Sequence, residues 1–140
     1  CDFNPGSRDC YGISGYERYR KGTKKVFNSM TFADKPMTRF PKGVNQLFKE
    51  GTRFLEVTDA IQRFHSGIAH RFYRGIGHYL QYIESQILIK VLLGLKDLGI
   101  HALPIHDAVL VGRTWVDMSR QLMEQVFLDM TNVDPWVQVE

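Results

Sequence analysis

Two groups of residues carry side chains suited to phosphate chemistry. The first is the doublet His106-Asp107, set between the apolar runs 100–105 and 108–111. A carboxylate on a turn between two strands is held where the backbone cannot drift, as a divalent cation acting on phosphates requires. The second is Arg20, Lys24 and Asn28, spaced i, i+4, i+8 and therefore on one face of a helix. Two cations fixed on one rigid face suit a triphosphate, and Phe32, one turn further, offers a flat apolar group to stack on base or sugar. Lys21 and Lys25 lie about 100° round the same helix, toward backbone phosphate or solvent. The plainer readings are an ordinary turn and a solvated basic face, and spacing alone leaves both open.

Charge along the chain leans the same way. The 140 residues carry a net charge of +3, unevenly spread. Residues 1–50 hold ten Lys and Arg against five Asp and Glu, whereas residues 51–140 hold eight against ten. From His101 onward there are two Arg against six acids. A basic part joined to an acidic part suggests that one meets phosphates while the other gathers carboxylates. With 44% apolar and 24% charged residues, the composition excludes a disordered tail, a collagen-like repeat and a disulfide scaffold. No apolar run reaches the roughly 18 residues of a membrane span, and no secretory leader is visible, so a cytoplasmic setting is expected. The two cysteines, Cys1 and Cys10, are then expected as free thiols.

These groups need elements to position them. Residues 1–16 read as loop, and residues 17–32 as a helix that ends before Pro36. Helical signals return from Val44, break near Gly51 and run from Val57 to Tyr73. A strong stripe, Ile76, Leu80, Ile83, Ile87, Val91 and Leu98, predicts a long and mostly buried helix with a C-cap at Gly99. Residues 100–111 read as a tight β-hairpin of two buried strands with His106-Asp107 at its turn. Thr114 and Asp117 have capping-box spacing for a helix, and residues 136–139 alternate as a closing strand. The expectation is an α+β domain or fragment spanning residues 1–140.

The stretch IESQILIKVLLGLKDLGIHALPIHDAVLVGRTWVDMSRQLMEQVF resembles the C-terminal part of the palm in family A DNA polymerases and single-subunit phage-type RNA polymerases. The likeness is greatest to polymerase-like proteins carried by phages and plasmids. It implies a palm-like antiparallel sheet packed on helices over residues 51–140, with a partial fingers region and a remnant of a palm motif in residues 1–50. By that resemblance Asp107 is a metal ligand and His106 packs near the primer terminus. The fingers helix of these polymerases carries Arg, three residues, Lys, then an aromatic residue eight further on, which Arg20, Lys24 and Phe32 match. Ala33 stands where Gly is usual there. Cys1-Asp2-Phe3 resembles the acidic start of the first palm motif, making Asp2 a second metal ligand, and Asp9-Cys10-Tyr11 resembles the Asp-x-Tyr stretch before the fingers helix.

The resemblance implies nucleotidyl transfer with Mg²⁺ or Mn²⁺, acting on nucleoside triphosphates and a DNA or RNA primer-template. Arg71, among Phe64, Phe72 and Tyr73, and Gln86 are the further candidates for nucleic-acid contact. Two other functions are weighed against it. One is a catalytically silent polymerase relic that still grips nucleic acid. The other is an HD-type metal phosphohydrolase drawing on His65, His70, His78, Asp117 and Asp129, although its doublet normally sits on a helix. The spacing of the three histidines fits no HExxH-type pair, so they read as structural.

Overall fold

The structure, a computed structural model, describes residues 9–135 and 137–139. Cys1, Asp2 and Trp136 lie outside the described residues. The fold is α+β, with four α-helices and a two-stranded antiparallel sheet among the described residues. The helices are α1 (Arg20–Phe32), α2 (Phe54–Phe64), α3 (Ile76–Asp97) and α4 (Val116–Thr131). The strands are β1 (Ala102–Ile105) and β2 (Ala108–Val111). The chain divides into two compact units, Cys1–Tyr79 and Leu80–Glu140, with the boundary within α3.

In the first unit α1 is amphipathic by a simple offset. Gly22, Val26 and Met30 are buried, while Arg20, Lys24 and Asn28, two residues away and therefore about 200° round, are exposed. The buried face packs in a core with Val44, Phe48, Phe54, Val57, Ile61 and Phe72. Phe48 presses its ring onto Gly22, where a Cβ would stand 2.7 Å from Cζ. A helix through Tyr73 is not what forms. α2 stops at Phe64, because Ser66-Gly67 follows its C-cap His65 and favours a turn over a helix interior. The chain then returns to the end of α1, where the Tyr73 and Gly75 amides donate to the Met30 and Ala33 carbonyls. Tyr73 and Gly75 take left-handed φ values of 60° and 64° to make that turn.

The second unit is built on α3, which ends as expected. Gly99 has φ 72°, and the Ile100 and Gly99 amides donate to the Leu95 and Lys96 carbonyls, the paired bonds of a Schellman cap. Burial of this helix is narrower than its stripe predicts. Val91 and Leu95 are buried with Ile100, and Ile87, Leu122, Met123 and Val126 pack against them. Leu80, Ile89 and Leu93 are about half exposed. The hairpin forms with the expected two-residue turn, pairing Ile105 with Ala108 and Ala102 with Val111. Its strands are not interior, however. Val109 and Val111 face the core, while Leu103, Ile105 and Leu110 on the other face are more than half exposed. Among the described residues of this unit, only α3 and α4 pack on the sheet, and they do so on the side of Ala102, Val109 and Val111.

Thr114 does not cap α4: a 3₁₀ turn over Arg113–Trp115 precedes the helix, so the N-cap position falls on Trp115, which has no side-chain cap. No closing strand joins the sheet among residues 137–139, which are irregular. An alternating tetrapeptide pairs only if a neighbouring edge is in reach, and alternation says nothing about reach.

Candidate functional site

In the first unit the cation face is organised by a loop that precedes it. Arg20 opens α1, where the helix dipole is positive and no acid occupies the first turn. Asp9 supplies the missing negative charge from outside the helix. Its carboxylate accepts from Arg20 Nε at 2.7 Å and from Nη2 at 3.0 Å. These bonds hold the Asp9 carboxyl below its usual range, helped by a bond from the Tyr11 amide, and raise the Arg20 guanidinium in turn. Tyr11 lies beneath both cations, its ring centroid 5.3 Å from the Arg20 guanidinium carbon and 5.4 Å from Lys24 Nζ.

Tyr11 is itself fixed, edge-on to Phe27 at 5.6 Å between centroids. The backbone of its loop is held by His65, which is 2% exposed and has Nε2 2.8 Å from the Cys10 carbonyl oxygen. A carbonyl only accepts, so Nε2 carries the proton. The Arg20 guanidinium has five N–H donors, and Asp9 takes two of them. The remaining donors, together with the exposed Lys24 ammonium, can meet an anion.

The other residues expected on this face are placed less uniformly. Asn28 is exposed one turn beyond Lys24, and Lys21 and Lys25 are exposed to the side. Phe32 continues the face in sequence, but its ring covers Gly77 and meets His78 edge-on at 5.2 Å. It therefore packs the start of α3, and a base would share it with those residues. Arg71 is exposed in the turn after α2, and Gln86 is half-buried on α3.

In the second unit His106 and Asp107 form the hairpin turn, both exposed. His106 has φ 55° while Asp107 does not share a positive φ, the sign pattern of a type II′ turn. The doublet thus stands between strands and not on a helix, unlike the HD-type arrangement. The Asp107 carboxylate makes no hydrogen bond or ion pair with a described residue. No group of three or more His, Cys, Asp or Glu able to hold a metal gathers among the described residues. A cleft of about 360 Å³ in this unit is lined by Leu92, Lys96, Gly99, Ile100, His101, Ala102 and Pro104, and Asp107 is not part of it.

Reading the sequence for chemistry passes over two members of the cation site. Asp9 and Tyr11 enter only through the Asp-x-Tyr resemblance, since they lie eleven and nine residues before Arg20 and share no helical period with it. His65 reads as a core histidine, and it is one, but its polar edge serves the loop. No protein-family model, curated protein or solved structure matches the chain.

Proposed function

We propose that the chain is the palm and part of the fingers of a template-dependent nucleotidyltransferase of the family A polymerase kind. In this reading the α1 face binds the incoming nucleoside triphosphate. The observation that carries it is the pair Arg20 and Lys24, one turn apart over a shared Tyr11 ring. Arg20 and Lys24 neutralise the phosphates and orient them, which lowers the cost of bringing a 3′-hydroxyl to the α-phosphorus. Asn28 adds a neutral donor one turn on, and Phe32 with His78 forms the aromatic end of the face. Lys21, Lys25, Arg71 and Gln86 are assigned to the primer-template in the same reading.

Asp107 is the proposed ligand for Mg²⁺ or Mn²⁺, exposed on a two-residue turn. The described residues supply one carboxylate there, which fits one ligand of an ion and not a complete site. Asp2, the second proposed ligand, lies outside the described residues. When bound, such ions stabilise the attacking and leaving oxygens of phosphoryl transfer.

A primer-extension assay with Mg²⁺ or Mn²⁺, run beside Asp107→Ala and Lys24→Ala, tests the proposal. Extension lost in both variants supports it. A second reading, a nucleic-acid-binding module without catalysis, is favoured by one observation: Arg20, Lys24 and Tyr11 all belong to the first unit. Salt-sensitive DNA binding without extension, unchanged by Asp107→Ala, supports that second reading. Nucleotide hydrolysis without a template supports the phosphohydrolase instead.

A further inference from the structure

We propose that His65 is a positioning residue for the anion face, holding through the Cys10 carbonyl the loop from which Asp9 and Tyr11 orient Arg20 and Lys24. The inference rests on the reading of that face as an anion site. His65 stands at the C-cap of α2, with its own amide bonded to the Ile61 carbonyl. Its ring lies 4.9 Å from both Phe27 and Phe64 and 6.5 Å from Phe72, centroid to centroid. Contacts of that kind need only an aromatic ring. What a phenyl ring lacks is the N–H that meets the Cys10 oxygen at 2.8 Å.

Cys10 sits between the two residues that touch the cations. On one side Asp9 grips Arg20, and on the other Tyr11 lies under Arg20 and Lys24. Tyr11 and His65 also lean on the same support: Phe27, from α1, contacts both rings. A change at the buried nitrogen therefore reaches the two exposed cations through one peptide unit. If the Cys10 carbonyl is left without its donor, it turns toward water, and the Asp9 and Tyr11 side chains turn with it.

The experiment uses the full chain, with His65→Phe, which keeps the ring and removes the donor, and His65→Gln, whose amide nitrogen reaches a similar position. Two quantities are read: the NMR signal of the Arg20 Nε–H group, which reports its pairing with Asp9, and the affinity for inorganic tripolyphosphate. The expected result is that His65→Phe shifts the Nε–H signal to that of an unpaired guanidinium and weakens tripolyphosphate by about tenfold. His65→Gln restores both, and in an Arg20→Ala background His65→Phe costs much less affinity.

An unchanged Nε–H signal in His65→Phe overturns the inference, as does an affinity loss of the same size in the Arg20→Ala background. If His65→Phe does not fold, His65→Gln decides: a native signal sustains the inference, and a lost one overturns it. Absence of tripolyphosphate binding by the unaltered chain overturns the anion reading instead, and the Arg20 signal still judges His65.

Discussion

Asp9 and Arg20 meet side-on, with Oδ2 2.7 Å from Nε and Oδ1 3.0 Å from Nη2. Both side chains are substantially exposed, so the pair adds little to stability. Its consequence is directional. The guanidinium is held by one edge, and its other edge stays open beside Lys24 above the Tyr11 ring. An isolated arginine at the start of a helix has no such constraint and samples many rotamers.

From this follows an expectation about Asp9 that runs against its apparent role as a partner. Asp9→Asn keeps an oxygen that accepts from Nε but removes a negative charge beside the bound anion. Tripolyphosphate affinity is expected to rise by at least about threefold, the effect of removing one unit charge roughly 6 Å from another in water. Arg20→Ala is expected to weaken it by about tenfold or more. Calorimetric titration at two salt concentrations measures both, and a weaker Asp9→Asn would show that the charge aids binding.

The same pair sets a pH dependence. The Arg20 bond is the main cause of the lowered Asp9 pKa, and the Arg53 bond does the same for Glu56. A carboxyl whose folded value lies below its unfolded value stabilises the protein above the unfolded value, near pH 4, and ceases to as pH falls through the folded one. The urea midpoint should therefore decline from about pH 5 to pH 3, with a shallower decline in Asp9→Asn. Parallel curves for the two proteins would remove Asp9 from the acid transition.

What the sequence makes legible follows from how local each cause is. The α1 face is readable because residues 20, 24 and 28 repeat at the helical period and residues 22, 26 and 30 repeat opposite them. The hairpin turn is readable because two apolar runs leave two residues between them. Exposure of Leu103 and Leu110 is not readable, since apolar type reports what a strand can bury and not whether a second layer exists to bury it. The end of α2 at Phe64 was open to detection through Ser66-Gly67, which the aromatic run beyond it obscures. His65 reaches Cys10, which stands between Asp9 and Tyr11, across 55 positions of sequence, a distance no period spans.

Gly22 tests whether the core behind the cation face has slack. A Cβ there would lie 2.7 and 2.8 Å from Phe48 Cζ and Cε2. The Phe48 ring is hemmed in by Phe40 at 5.2 Å, Tyr19 at 5.8 Å and Tyr16 at 6.2 Å, so it has nowhere to retreat. Overpacking costs about 1–3 kcal/mol, against a gain of about 1 kcal/mol in helix propensity. Gly22→Ala is expected to lose about 1 kcal/mol in urea unfolding. A neutral or stabilised variant would mean that Phe48 moves freely.

His106 allows the chemistry of the hairpin tip to be separated from its fold. Its φ of 55° strains a side-chain-bearing residue, at a cost of about 1 kcal/mol that glycine would relieve. Glycine also raises the entropy of the unfolded chain, by about 0.5–1 kcal/mol. The two effects nearly cancel, so His106→Gly is expected to leave stability within about 0.5 kcal/mol of the parent. His106→Val, with a branched Cβ forced to positive φ, is expected to lose about 1–2 kcal/mol. Asp107→Asn, on an exposed side chain without a described partner, is expected to leave the urea midpoint unchanged. Primer extension that falls in His106→Gly and disappears in Asp107→Asn, at unaltered stability, would then be a chemical effect at the turn. Full extension in both variants would remove the hairpin tip from the reaction.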